Sequence, residues 1–512
     1  MRFIANNIVV LVLLVLIGSL AWVFGGSRGD LLPHFVPWLW LFLAETALCF
    51  PQRREDESLP EARERVWAAM KADPLVYVTL ALWVLLAVPF VNKGLCPICD
   101  YPAIEAGGKA GAPVAFLPFC VSRGEQLTVF LWFLAALTAM LATRHALLRS
   151  GKRLLMELLV WNGVALAAFG FLELSLGAPG PYWSDPISVK VPYFSTFGYA
   201  NDGGDYFTAL FFISLGVWRR QVSEYRQDAA LADEKATDRV LALRDVFWHQ
   251  HRTLIASAIL YFAALNTLSR AAIIFSTAGA ILIFLHVGAT SLAEMPRIRR
   301  IKAGAILMAG MVALAIAASV FMPSRVNREM NGLTVDAALS RLSGRSEYHQ
   351  RNALKVFADH PLFGVGGWGY RHFSAPYLPE NISRNLKYDW CTGGANVHND
   401  LLQFMCEHGV VGLMLIVAVI FLLLMPVVRI WRSMATTVRF TAKIYLPSPK
   451  GFFVFPIPAL TLLMAAGMTF IHSFADCPLR SSAVLALFFT ELAAVEGFLP
   501  RIVEKTETER DW

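Results

Sequence analysis

The chain alternates long apolar runs with short polar connectors from end to end. Crossing a hydrocarbon core takes about 20 mostly apolar residues in a helix. Twelve runs approach or reach that length: 4–24, 32–50, 75–93, 125–147, 153–176, 197–218, 253–269, 271–292, 303–322, 410–428, 452–474 and 479–499. The pattern predicts an all-α, polytopic membrane protein with about 12 transmembrane helices. Connectors such as RHALLRSGKR (144–153) and RIRRIK (297–302) concentrate Lys and Arg, and they alternate with links almost devoid of either. The positive-inside rule then puts both termini in the cytoplasm. One long outer loop, 323–409, is expected to contain short helices.

Composition agrees with the pattern. Of 512 residues, 56% are hydrophobic and 16% charged, and the mean hydropathy is +0.52. Globular domains average about 25% charged, so a string of soluble domains is excluded, as are disordered, collagen-like and small disulfide-scaffold classes. The net charge of +7 reads as anchoring against anionic membrane lipids, and no nucleic-acid module is recognisable. Arg2 precedes the first run, but the run exceeds a usual signal-peptide core and no clean cleavage site follows, so an uncleaved span is expected. Among seven cysteines, Cys96, Cys99, Cys120 and Cys391 fall in the longer outer loops and Cys477 in a short outer turn. An oxidising compartment permits disulfides, with three ways to pair the four loop cysteines. Cys96-Pro-Ile-Cys99 also reads as half of a zinc site, without an evident second pair of ligands.

The polar chemistry gathers on the outer side. In the loop 323–409 a helix is expected from Ser343 to Asp359, with Ala353, Leu354 and Phe357 as its apolar face and Arg351 and Lys355 sharing one side. Gly364-x-Gly366-x-x-Gly369 spells the dinucleotide fingerprint but follows a helix rather than a strand, so it reads as a tight return to the membrane surface. His398, Asn399 and Asp400 open the tenth helical run, either as a cap with a polar rim or with His398 as a base. Arg270, in LNTLSRAAIIF, stands where an ionisable residue is costly. It is a site residue or an interfacial arginine snorkelling to headgroups. Asn201, Asp202 and Asp205 lie at the mouth of the sixth run, as caps or as part of a site. Trp183, Tyr193, Trp368 and Tyr370 are sugar-stacking residues or members of an interfacial aromatic belt.

In this order, over roughly 195–430, these elements resemble the O-antigen ligase/polymerase family of bacterial envelope glycosyltransferases. Ser269-Arg270 resembles the family's S-R pair at an outer helix turn. Gly344-Arg345 and His360-Pro361-Leu362-Phe363-Gly364-Val365-Gly366 resemble its G-R and following glycine elements. His398, Asn399, Leu402, Gln403, Glu407, Gly409 and Gly412 match its H-N-x-x-L-q-x-x-x-E-x-G-x-x-G element, and Asn201 resembles its small-Asn element.

The resemblance implies a catalytic core at 196–430, flanked by spans at 1–195 and by spans and a tail at 431–512. It implies transfer of a glycan from undecaprenyl-pyrophosphate to a hydroxyl acceptor, such as lipid A-core or another glycan, on the periplasmic face of the bacterial inner membrane. No metal or cofactor is implied. Arg270 and Arg345 would then grip the pyrophosphate, since guanidinium forks fit phosphate oxygens, and His398 would act as base. Arg351, Asn201, Asn399, Lys190 and Glu407 would contact substrate, or Glu407 would be structural. Some ligases carry another arginine before the sixth span, where this chain offers only Lys190. A polymerase and a protein O-oligosaccharyltransferase remain open within the family. A lipid-linked glycan transporter remains open outside it, although transporters tend to place their sites at mid-membrane between repeats.

Overall fold

The computed structural model describes residues 6–26, 35–97, 99–100, 111, 113–114, 116–184, 192–231, 239–293, 326, 349–378, 396–441 and 456–499. Among these the chain is all-helical, with no strand beyond isolated bridges. The first half comprises α1 (Ile8–Trp22), α2 (Phe35–Cys49), α3 (Leu59–Ala72), α4 (Pro74–Ala87), α5 (Arg123–Leu141), α6 (Arg149–Ser175) and α7 (Ala200–Leu231). The second comprises α8 (Arg239–Asn266), α9 (Arg270–Ala293), α10 (Arg351–Asp359), α11 (Tyr370–Ser374), α12 (Asp400–Thr441), α13 (Ile457–His472) and α14 (Ser482–Ala494). Every predicted run carries a helix except 303–322, which lies outside the described residues. By length and composition, four helices among those described can cross a membrane: Pro74–Val91, Arg123–Ala146, Arg149–Ser175 and Asp400–Arg432. Shorter apolar helices accompany them, α1 and α13 included.

Helices apolar on all sides must be covered by protein or by lipid, and both solutions occur. α7 is buried almost continuously from Ala200 to Val217, packed along α8 and α13, and all thirteen residues of α14 are buried. The Asp400–Arg432 stretch is only 22% buried over its most apolar 18 residues and turns Met414, Val417 and Phe421 outward. It forms an edge of the bundle.

Polar contacts sort the helix ends into two groups. At one end Gln52, Asp73, Arg144, Lys152 and Glu496 meet: Asp73 pairs with Arg144 at 2.6 Å, and Lys152 with Glu496 at 3.2 Å. Arg252 joins Glu157 at 2.6 Å, tying α8 to α6. At the other end Thr196 bonds the Ala21 carbonyl, Ser481 the Gly25 carbonyl, and Cys96, Phe119 and Val121 pack with residues of α10 and α11. Local signals fix several starts. Ser58 and Glu61 form a reciprocal capping box on α3, Ser122 caps α5 and Ser481 caps α14; such caps each contribute about 1 kcal/mol.

Two expectations about the 343–369 region change in detail. The described part of the loop helix is Arg351–Asp359, and its buried face is Asn352, Ala353 and Val356, whereas Leu354 is 52% exposed. At 100° per residue Leu354 stands about 160° round from Val356, on the side opposite the buried face. The glycines do more than return the chain to the surface. α12 is broken at Gly409 (φ 67°, ψ −173°), and the 361–366 segment fills the break. The Cys406 and Glu407 carbonyls accept from the Val365 and Gly366 N–H groups at 3.2 and 2.8 Å. The Val410 and Val411 N–H groups donate to the Pro361 and Leu362 carbonyls at 2.9 and 3.2 Å. Backbone groups orphaned by the interruption are thereby paired, as a low-dielectric setting demands. A Cβ on Gly364 would meet the Glu407 carbonyl carbon at 2.3 Å, and one on Gly409 the Leu362 oxygen at 2.0 Å. Only glycine allows the two backbones to cross so closely.

Candidate active site around His398 and Asp476

The entry into α12 is sewn to the turn between α13 and α14. Asn399 is the cap, its Oδ1 accepting from the Leu402 N–H at 3.0 Å. Asp400 serves differently: its N–H donates to the Ser473 carbonyl at 2.7 Å and its Oδ2 accepts from the Leu479 N–H at 2.9 Å. These bonds bring His398 against Asp476, a residue of that turn only 1% exposed.

Donors from three parts of the chain converge on the Asp476 carboxylate. Its Oδ1 accepts from His398 Nδ1 at 2.8 Å and from the Cys477 N–H at 2.9 Å. Its Oδ2 accepts from the Tyr199 hydroxyl at 2.9 Å and from Asn201 Nδ2. Asn201 Oδ1 accepts in turn from Ser269 Oγ at 2.7 Å. Ser269 immediately precedes Arg270, the half-buried first residue of α9. Three side-chain hydrogen bonds thus connect the histidine to the turn that carries the arginine.

A carboxylate can only accept, so Nδ1 of His398 holds the proton and Nε2 presents a lone pair. The His398 side chain is 26% exposed while Asp476 is sealed behind it, so a solute can reach the ring but not its partner. This is the geometry of an oriented base, in which the buried carboxylate fixes the tautomer and stabilises the imidazolium once formed. The His349 ring stands edge-on to the His398 ring, 5.4 Å between centroids. Both turns are strained: His398 has φ 55° and Leu268, two residues before Arg270, φ 61°. Such positive φ values for residues other than glycine persist where surrounding structure over-determines them, frequently at sites.

The other sequence-selected residues separate. Glu407 is fully buried; its Oε1 accepts from Gln403 Nε2 at 3.0 Å and its Oε2 from Arg480 at 2.6 Å. Those bonds make it a packing element of α12 against the 478–480 turn. Arg351 is exposed at the start of α10. Arg345 and Lys190 lie outside the described residues. Asp205 pairs with His472 at 2.7 Å, binding α7 to α13. Beside Glu407, Arg480 and Asp400 lies a small apolar cavity walled by Trp132, Phe404 and Phe488; neither His398 nor Arg270 lines it.

Sequence reasoning passed over Asp476, Tyr199 and Arg480. Asp476 carried a usable signal: an ionisable residue in a short turn between two apolar runs is costly there, the same argument that singled out Arg270. His398, Asp476 and Cys477 also offer ligand atoms within 4.8 Å of one another. Burial, and then the adjacent Asp476 carboxylate, push the Cys477 thiol well above its ordinary value, and its Sγ donates to Asp476 Oδ1 at 3.5 Å.

Fold and site together define a polytopic helical membrane protein with an oriented His–carboxylate pair between helix ends. Residues 255–417, about a third of the chain, match the family model described as O-antigen ligase, and that segment is similar to the O-antigen ligase family. The match supports an O-antigen ligase/polymerase-type membrane enzyme. The segment contains Arg270, Arg345, Arg351, His398, Asn399 and Glu407; Asn201 and Asp476 lie outside it. No curated protein matches the chain.

Proposed function

We propose that the protein transfers a glycan from an undecaprenyl-pyrophosphate carrier to a hydroxyl acceptor at the periplasmic face of the bacterial inner membrane, as an O-antigen ligase. The observation that supports this reading best is the hydrogen-bond chain Ser269–Asn201–Asp476–His398, which couples a base to the turn bearing Arg270. In this reading the catalytic core of 196–430 is completed by the 473–481 turn.

Arg270 grips the pyrophosphate at headgroup depth, with Arg345 and Arg351 supplied by the loop. Guanidinium forks match phosphate oxygens bidentately and need no divalent cation. Each donor aimed at charge that grows in the transition state contributes about 2.7–4 kcal/mol. Pyrophosphate leaves readily, so the remaining task is to remove the acceptor proton. His398 Nε2 takes it as the hydroxyl oxygen attacks the anomeric carbon and the carbon–oxygen bond to phosphate breaks. Such general-base assistance contributes about 10²–10⁴-fold. A single displacement inverts the anomeric centre.

The test is reconstitution of the chain in liposomes with a pyrophosphate-linked oligosaccharide and lipid A-core, without added divalent cation. Product that disappears in Arg270→Ala and His398→Ala supports the reading. Elongation of carrier-linked glycan without use of lipid A-core would replace ligase by polymerase, and carrier translocation without any transfer would replace it by transporter.

A further inference from the structure

We propose that Cys96, Cys99 and His372 bind a zinc-class cation that pins the 93–100 segment to α11. The inference stands apart from the transfer chemistry, and none of its residues belongs to the His398 cluster. Each of the three offers one ligand atom, and these atoms lie within 4.8 Å of one another, with Cys99 Sγ 4.0 Å from His372 Nδ1. In a tetrahedral site with Zn–S about 2.3 Å and Zn–N about 2.0–2.1 Å, ligand atoms stand about 3.5–3.8 Å apart. The trio therefore needs to contract by at most about 1.3 Å to close on an ion.

The surroundings are those of a metal knuckle. The Cys99 N–H donates to Cys96 Sγ at 3.1 Å, and Asp100 Oδ2 accepts from the Cys96 N–H at 2.7 Å. The first bond supports a thiolate and the second fixes the turn that sets the two sulfurs side by side. His372 Nε2, the nitrogen turned away from the sulfurs, lies 2.9 Å from Glu125 Oε2, and Glu125 is held in turn by Arg371. A carboxylate on the outer ring nitrogen is the usual support of a metal-bound histidine and leaves Nδ1 as the ligand. Cys96 is fully buried and His372 nearly so. Two thiolates balance a divalent ion while Arg371 balances Glu125, so the occupied site is neutral. Binding displaces two thiol protons to solvent, and a water takes the fourth position.

Zinc is measured by plasma mass spectrometry on the full-length chain purified in detergent from zinc-supplemented cells, and Co²⁺ is substituted for a spectrum. The expected result is about one zinc per chain and a tetrahedral Co²⁺ spectrum with thiolate charge-transfer bands. Cys99→Ser and His372→Ala should lower zinc content about tenfold, while Cys120→Ser, altering a nearby cysteine outside the trio, should keep it. Glu125→Gln should weaken zinc affinity about 10–100-fold. Should the ligand variants fail to fold, the wild-type Co²⁺ spectrum and protection of Cys96 and Cys99 from alkylation until a chelator is added decide the matter. Substoichiometric zinc with no cobalt–thiolate band, or a Cys96–Cys99 disulfide on non-reducing peptide mapping, overturns the proposal.

Discussion

Replacing Asp476 by Asn changes one atom and tests the whole reading of the site. The wild-type carboxylate accepts at Oδ1 from His398 Nδ1 and from the Cys477 N–H and thiol, and at Oδ2 from the Tyr199 hydroxyl and Asn201 Nδ2. An amide supplies one accepting oxygen, so its NH₂ must face either the His398/Cys477 pair or the Tyr199/Asn201 pair. Facing the first pair, it donates to Nδ1, moves the ring proton to Nε2 and removes the lone pair needed for base catalysis. Facing the second pair, it opposes the Asn201 NH₂, and the imidazolium formed during turnover loses its countercharge. The analogous acid-to-amide change in a serine-protease triad lowers turnover about 10⁴-fold. We therefore expect kcat to fall about 10²–10⁴-fold, or about 2.7–5.4 kcal/mol, with KM for the carrier nearly unchanged because Asp476 is buried. The assay is initial-rate transfer in liposomes across carrier concentrations. Since the two residues act as one unit, His398→Ala in the Asp476→Asn background should add little further loss. Full turnover in Asp476→Asn, or losses that multiply in the double variant, would refute the oriented-base argument.

Three further expectations concern the scaffold. Gly409→Ala forces a Cβ into the Leu362 carbonyl; strain plus the loss of crossing hydrogen bonds should cost about 3–5 kcal/mol, read as a lower thermal midpoint of the detergent-solubilised chain. Glu407→Ala leaves Arg480 buried and unpaired, which should cost about 3–5 kcal/mol, whereas Glu407→Met with Arg480→Met should recover most of that; a stable Glu407→Ala that loses only acceptor affinity would instead make Glu407 a substrate contact. Burial raises the Asp73 carboxyl, but bonding by His145 and Arg144 outweighs it and holds the group well below the usual carboxylate range. Its contribution is therefore complete above the unfolded value of about 3.9 and lost as pH falls further. The stability gap between wild type and Asp73→Asn should be full at neutral pH and narrow below about pH 4, which thermal midpoints across that range would reveal.

Much of the architecture was legible because apolar run length is a strong signal: helices occupy the predicted runs wherever residues are described. The site was legible in part. His398 and Arg270 stood out because each places costly polar chemistry beside an apolar run, Asn201 as one of the polar residues at the mouth of the sixth run and by resemblance, and Ser269 by resemblance alone. Asp476 was hidden by its distance, 78 positions beyond His398, and no local periodicity reports a contact made by folding one turn onto another. Glu407 looked like a site residue because it lies in the same motif as His398; its partner Arg480 sits in the turn that also supplies Asp476. The glycines of 364–369 imitated a nucleotide loop because close backbone approach requires the same residue whether the other party is a phosphate or a second backbone.

The edge position of α12 has a kinetic consequence. Its first turn follows directly on His398, while the helix beyond Gly409 presents most of its surface outward, where the apolar face calls for lipid. A carrier with a polyprenyl tail would arrive sideways, by diffusion within one leaflet, instead of from solution. Encounter frequency should then follow the carrier's mole fraction among the surrounding lipids. Diluting carrier and enzyme together with inert phospholipid, at constant bulk amounts, should slow the reaction in proportion.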